Sequence, residues 1–359
     1  MPLVKPFRAL RYAAGAAGPL DSLVSPPYDV ISSELHEELL ARSPYNSVRL
    51  VRPDDARDAA GLLAAWKDDG ILVREDEPAV WLLEEEFTAP DGDRRIRRGL
   101  VARVALEPYL RGVVLPHERS FPKPMEGRLE LLRATRTKLS PILMLHDGPV
   151  PHSLSRPPDL EATLDGVTSR LWRLDADAAA GIEPPLVIAD GHHRYEAALR
   201  FHEEDGGDET AHVLTTLVST RDPGLQILPT HRIAASAPET LDGTRDVDEA
   251  LLVLESLPRD HGAFVMIRPE GASVVESAEP ELDTVLVDAL PLEGVRYTAD
   301  AQEARRAVAS GTAAAAFIVR PPTIEQVKSF AEAGELMPQK STYFYPKLAS
   351  GLLFAPFDE

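Results

Sequence analysis

Apolar residues recur along this chain at two spacings. Steps of three and four predict helices. Leu35, Leu39 and Leu40 follow a Ser32–Ser33 cap over 33–41, and Ala59, Leu62, Leu63 and Trp66 face inward over 54–69. Leu129, Leu131 and Leu132 mark 126–137, and Tyr195, Ala198, Leu199 and Phe201 mark a helix from His192 onward. Short apolar or alternating runs predict strands over 48–51, 79–88, 94–106, 140–146, 167–174, 186–189 and 213–219. Pro90-Asp91-Gly92-Asp93 signals a hairpin between two of them. Farther on, the pattern gives helices over 247–257, 282–290 and 324–333 and strands over 263–267, 272–277 and 314–319. Interleaved helices and strands imply an α/β class with mixed sheets. A chain of 359 residues implies two domains. The Pro- and Ser-rich stretch 149–160 reads as their connection. It separates parts 1–155 and 156–359, closely packed, with motifs from both expected in one cleft.

Composition narrows the chemistry. Hydrophobic residues make up 44% of the chain, enough for substantial cores, and no run of eighteen apolar residues suggests a membrane span. The first residues carry no signal-peptide core, so a cytoplasmic location is expected. With no cysteine, disulfides, thiolate catalysis and thiolate metal sites are excluded. A net charge of −20 argues against binding long nucleic acid or anionic membrane, although a local basic cluster still suits a small anion.

One such cluster lies behind a short buried strand, at Asp190-Gly191-His192-His193-Arg194. The turn after that strand puts both histidines and Arg194 in the first turn of a helix. There the unbonded N–H groups and the positive dipole end favour an anion. Arg194 adds a fork for phosphate oxygens, His192 adds a donor, His193 a proton carrier, and Gly191 lets a ligand approach the backbone. The plainer alternative is a helix capped by Asp190 with surface histidines. His117-Glu118, in a proline-bounded loop, suits a general base or a metal ligand. Tyr28-Asp29, behind the stiff Pro26-Pro27, is placed to meet a substrate or simply to turn the chain. His231-Arg232 reads either as a surface loop or as a pair that binds substrate. Lys340-Ser341-Thr342, with Lys347 nearby, suits phosphate, although the Gly-rich turn of a P-loop is absent. Arg94 to Arg98 face Glu84 to Glu86 across the hairpin, so cross-strand ion pairs are expected there rather than a phosphate patch.

Taken together, several motifs resemble a family of proteins of unknown function, DUF1015. They are Ser25-Pro26-Pro27-Tyr28-Asp29, His117-Glu118, Ala189-Asp190-Gly191-His192-His193-Arg194-Tyr195, Leu228-Pro229-Thr230-His231-Arg232, and Lys340-Ser341-Thr342 through Lys347. The likeness spans nearly the whole chain in the same order. The run Asp190 to Arg194 behind a strand also resembles the nucleotide-binding motif of the ParB/sulfiredoxin superfamily, which includes free-serine kinases. This second resemblance implies a ParB/sulfiredoxin-like element around 185–204. It further implies ATP or ADP with Mg²⁺, and phosphoryl transfer to a small hydroxyl compound such as free serine; Asp190 or Glu118 is the residue expected to hold the metal. Sulfiredoxin activity is excluded because no cysteine is present, and no ParB-like helix-turn-helix is evident. Two other readings of the same site are phosphohydrolysis and non-catalytic nucleotide sensing.

Overall fold

The computed structural model describes residues 2–237, 244–277, 279 and 281–357. The chain forms two compact units. The first holds 1–225 and 346–359, and the second holds 226–345. The divide therefore lies at 225/226 and 345/346 rather than near 150–160, because strands on both sides of position 155 enter one sheet.

That sheet has nine strands: β1 (Val4–Lys5), β2 (Val80–Thr88), β3 (Arg94–Ala105), β4 (Val114–Leu115), β5 (Ile142–His146), β6 (Leu160–Leu164), β7 (Val167–Leu174), β8 (Leu186–Asp190) and β9 (His212–Ser219). Their order is β4-β8-β5-β9-β3-β2-β7-β6, with β1 beside β3. β4 pairs parallel to β8 and β9 parallel to β5, while the other pairs are antiparallel, as a mixed sheet requires. The hairpin ion pairs form as expected. Arg97 Nε and Nη2 donate to Glu85 at 2.8 and 2.6 Å in the core, and Arg98 Nε meets Glu84 at 3.0 Å. The β6–β7 hairpin was not apparent from the apolar pattern. Its signal was Asp165-Gly166, two residues with positive φ (49° and 79°) that suit a two-residue turn.

Among the described residues, the α-helices of this unit are α1 (Ser33–Arg42), α2 (Val48–Val51), α3 (Ala56–Asp68), α4 (Pro122–Thr135) and α5 (His192–Asp205). Residues 48–51 form a helical turn and not the expected strand. Asn46 Oδ1 accepts from Val48 N–H, and Asn46 Nδ2 donates to the carbonyls of Ser22 and Val24, which fixes that turn's start. α4 begins four residues before the predicted 126. Pro122 and Pro124 occupy its first turn, where a missing N–H costs no intrahelical bond. α4 and α5 bury Leu129, Leu132, Tyr195, Ala198 and Phe201 against Leu100, Val104, Met144 and Ile188 of the sheet.

In the second unit, β10 (Gln226–Leu228) pairs with β16 (Tyr343–Tyr345). The other strands are β11 (His231–Ala234), β12 (Ala263–Arg268), β13 (Gly271–Glu276), β14 (Arg296–Thr298) and β15 (Ala315–Val319). They form a sheet in the order β13-β12-β15-β11-β14, with α6 (Val247–Ser256), α7 (Asp283–Asp288), α8 (Ala301–Ala309) and α9 (Ile324–Ala333). No helix among the described residues is long and apolar enough to cross a membrane.

Candidate functional site

β8 delivers the chain to the site, but its last step is irregular. Ile188 pairs with Met144, whereas Asp190 pairs with Leu143, so the register shifts between them. In an unbroken ladder Asp190 would share a face with Ile188, and the shift turns it away. Gly191 follows at φ 99°, a left-handed conformation, and α5 starts at His192. A Cβ on Gly191 would stand 3.0 Å from Cζ, Nε and Nη2 of Arg194, so the guanidinium lies directly on this backbone.

Asp190 does not cap the helix. Gly191 is the N-cap and supplies no side-chain cap, whereas α1, α3, α6, α8 and α9 are capped by Ser32, Asp55, Asp246, Asp300 and Thr323. The Asp190 carboxylate is instead divided between two cations. Arg194 Nη2 donates to Oδ2 at 2.5 Å, and Lys347 Nζ bonds Oδ1. Burial would push this carboxyl up, but Lys347 and Arg194 together hold it well below the usual carboxylate range. Arg194 Nη1 also donates to the Pro141 carbonyl.

The two histidines act mainly as acceptors. His192 Nε2 receives the His117 N–H at 3.4 Å, and His193 Nε2 receives the Phe121 N–H at 2.9 Å. These bonds pin the loop over 116–121 to the first turn of α5 at two points, with Glu118 between them. His117 is buried, its Nδ1 sits 2.6 Å from the Ile188 carbonyl, and its ring stands edge-on to His192 at 4.7 Å. Burial pushes its pKa down to about 4, against the pull of Ile188 and Asp190. His192 falls well below its ordinary value through burial and the neighbouring His117. His192 is thus a neutral, buried group rather than an exposed phosphate donor.

Tyr28 reaches the same region. The Arg128 guanidinium lies 4.0 Å over its ring, and burial raises its hydroxyl pKa although Arg194 opposes this. Asp29 is exposed in the same 3₁₀ turn. The Pro26-Pro27 segment is therefore a structural turn that also presents Tyr28. Arg128 was not apparent from the sequence as a site residue, since it reads there as one more basic residue on an amphipathic helix.

The remaining candidates belong to the second unit. His231-Arg232 is a buried strand and not a surface loop. Arg232 Nε and Nη2 grip Asp288 at 3.1 and 3.2 Å, and His231 Nδ1 accepts from Val319 N–H at 3.3 Å. Ser341 is buried, donates to the Pro338 carbonyl at 2.7 Å and lies 3.0 Å from Thr284 Oγ1. Lys340 is exposed at φ 58° and Thr342 is half-buried.

A family described as "Protein of unknown function (DUF1015)" matches residues 4–295, and the chain belongs to it. None of the curated proteins matches the chain. Among solved structures, a free serine kinase mutant in complex with AMP aligns with a TM-score of 0.42 at 16% identity, covering 70% of this chain and 92% of that one. Another free serine kinase mutant, in complex with ADP, gives 0.40 at 16% identity over 67% and 89%. C-terminally truncated SbnI from Staphylococcus aureus gives 0.40 at 11% identity over 72% and 87%.

Proposed function

We propose that this DUF1015 chain binds a nucleotide by its phosphates at the 190–194 turn and transfers a phosphoryl group to a small hydroxyl compound, with free serine the first acceptor to try. The observation that carries this reading is the Arg194 guanidinium lying on Gly191 at the start of α5, with Lys347 joined through Asp190. First-turn N–H groups and two cations form a cradle for a phosphate. The likeness of the Asp190–Arg194 run to the ParB/sulfiredoxin superfamily makes ATP or ADP the nucleotide. Glu118, on the loop pinned at His117 and Phe121, is the proposed base. The acceptor oxygen attacks the terminal phosphorus, the bond to the departing phosphate breaks, and the hydroxyl proton passes to the carboxylate.

Mg²⁺ does not fit at Asp190. Both carboxylate oxygens are held by Arg194 and Lys347, and no group of three His, Asp or Glu among the described residues is placed to hold a metal.

ADP or ATP should raise the melting temperature of the wild type. Arg194→Ala should weaken nucleotide binding by about 1.5–3 kcal/mol in calorimetry, and unchanged affinity with an intact fold would refute the site. Glu118→Gln should retain nucleotide yet lose roughly 10²–10⁴-fold in turnover. Normal turnover in that variant, with Asp29→Asn inactive, moves the base to Asp29. Nucleotide binding without turnover of any hydroxy compound overturns transfer and leaves a nucleotide-responsive regulator.

A further inference from the structure

Beside Arg194, away from its bond to Asp190, lies a cavity of about 480 Å³ including its open mouth. Val51, Leu131, Leu132, Leu139 and Val213 give it apolar walls, and Arg128, Lys138 and Arg194 give it three cations. Among the described residues, no carboxylate lines it. Each cation also has a buried nitrogen without a hydrogen-bond partner: Arg128 Nε, Lys138 Nζ and Arg194 Nε.

Lys138 is the most unusual of the three. It is 6% exposed, and its ammonium has only the face of Phe357, 4.7 Å away, beneath it. Burying an ammonium with neither a counter-ion nor an acceptor is costly, and a folded protein ordinarily pairs such a group or replaces it with an apolar residue. Burial and the nearby Arg103 push the Lys138 pKa well down, and burial does the same, more mildly, to Arg128. A negative charge in the cavity would reverse both effects. The apolar walls meanwhile suit a hydrocarbon body.

We propose that this cavity is a second binding site, for a small organic anion whose carboxylate or phosphate head meets Lys138, Arg128 and Arg194 and whose short apolar body lies along Leu131, Leu132 and Leu139. The site shares Arg194, Tyr28 and Arg128 with the candidate functional site but stands without the nucleotide reading, since its ligand is titrated with no nucleotide present.

The test is a melting-temperature titration of the full chain with hexanoate and hexyl phosphate, set against acetate, inorganic phosphate and hexylamine. At saturation, hexanoate or hexyl phosphate should raise the midpoint by at least about 3 °C, and whichever acts more strongly identifies the head group. Acetate, inorganic phosphate and hexylamine should do little. Lys138→Met should melt higher than the wild type without ligand, having lost an unpaired buried charge, and should lose the response. Ala197→Leu, which narrows the cavity from α5, should also lose it and serves if Lys138→Met fails to fold. Three outcomes overturn the site: no wild-type response to either amphipathic anion, an equal response to inorganic phosphate, or an undiminished response in the folded variants. A failed ADP titration with a positive hexanoate titration would remove the nucleotide reading alone.

Discussion

At the scale of single residues, Gly191 is under two independent constraints. Its φ of 99° disfavours any L side chain, and its missing Cβ leaves room for the Arg194 guanidinium. That guanidinium is tied to Asp190 and to the Pro141 carbonyl, so it cannot swing aside without breaking a buried pair. Gly191→Ala should therefore cost about 1–3 kcal/mol in urea denaturation and weaken nucleotide binding as well. A variant with wild-type stability and affinity would show that neither constraint matters. Sequence reasoning reached Gly191 and Arg194 because an Asp-Gly turn before a helical pattern has few structural solutions. For Asp190 it offers a metal or, as the plainer alternative, a helix cap, because no local pattern links this aspartate to Lys347.

At the scale of elements, the loop over 116–121 and the start of α5 form one assembly. His193 holds the Phe121 amide, and His192 holds the amide of His117. His193→Ala removes one of the two pins. Hydrogen exchange at the Phe121 amide should speed up by about fivefold, as expected when a bond worth roughly 1 kcal/mol is lost, while the core strand 186–190 keeps its protection. Unchanged exchange at Phe121 would mean that the loop is held by something else. The helices were read well where a cap and a periodic face coincide, as at Ser32 and at Thr323 to Gly334. Val48 to Val51 differs from the expected strand because three apolar residues around Arg49 fit a buried strand and a buried helical turn equally. The deciding contacts run from Asn46 to Ser22 and Val24, more than twenty positions away. The second unit's His231 and Arg232 were read as exposed because an ionisable pair usually is. Their burial depends on Asp288, which no local pattern links to them.

At the scale of the whole molecule, buried histidines govern the response to acid. His117, His146, His212 and His231 are all buried, and burial pushes each pKa down to about 4. An unfolded histidine titrates near 6.5. Between about pH 6.5 and 4 the unfolded chain thus takes up protons that the folded chain refuses, and stability falls as pH falls. Each histidine contributes about 1–2 kcal/mol of loss at pH 5. Burial raises the Glu85 and Asp222 carboxyls, and these act in the opposite sense, but they are two groups against these four histidines and His192, which burial lowers as well. The urea midpoint should drop between pH 7.5 and pH 5. A flat or rising midpoint over that range would show that the histidines are solvated.

The second unit sits within the sequence of the first, so the ribosome adds Lys347 157 residues after Asp190. At about 5–20 residues per second, that gap lasts on the order of ten to thirty seconds. For that time a nascent chain has β8 and α5 but only Arg194 to neutralise the carboxylate. Phe354 and Phe357, which complete the first unit's cores, are later still. Anything that stalls translation within the second unit leaves a half-neutralised Asp190 and two unfilled cores on the nascent chain, which is the kind of surface that chaperones bind.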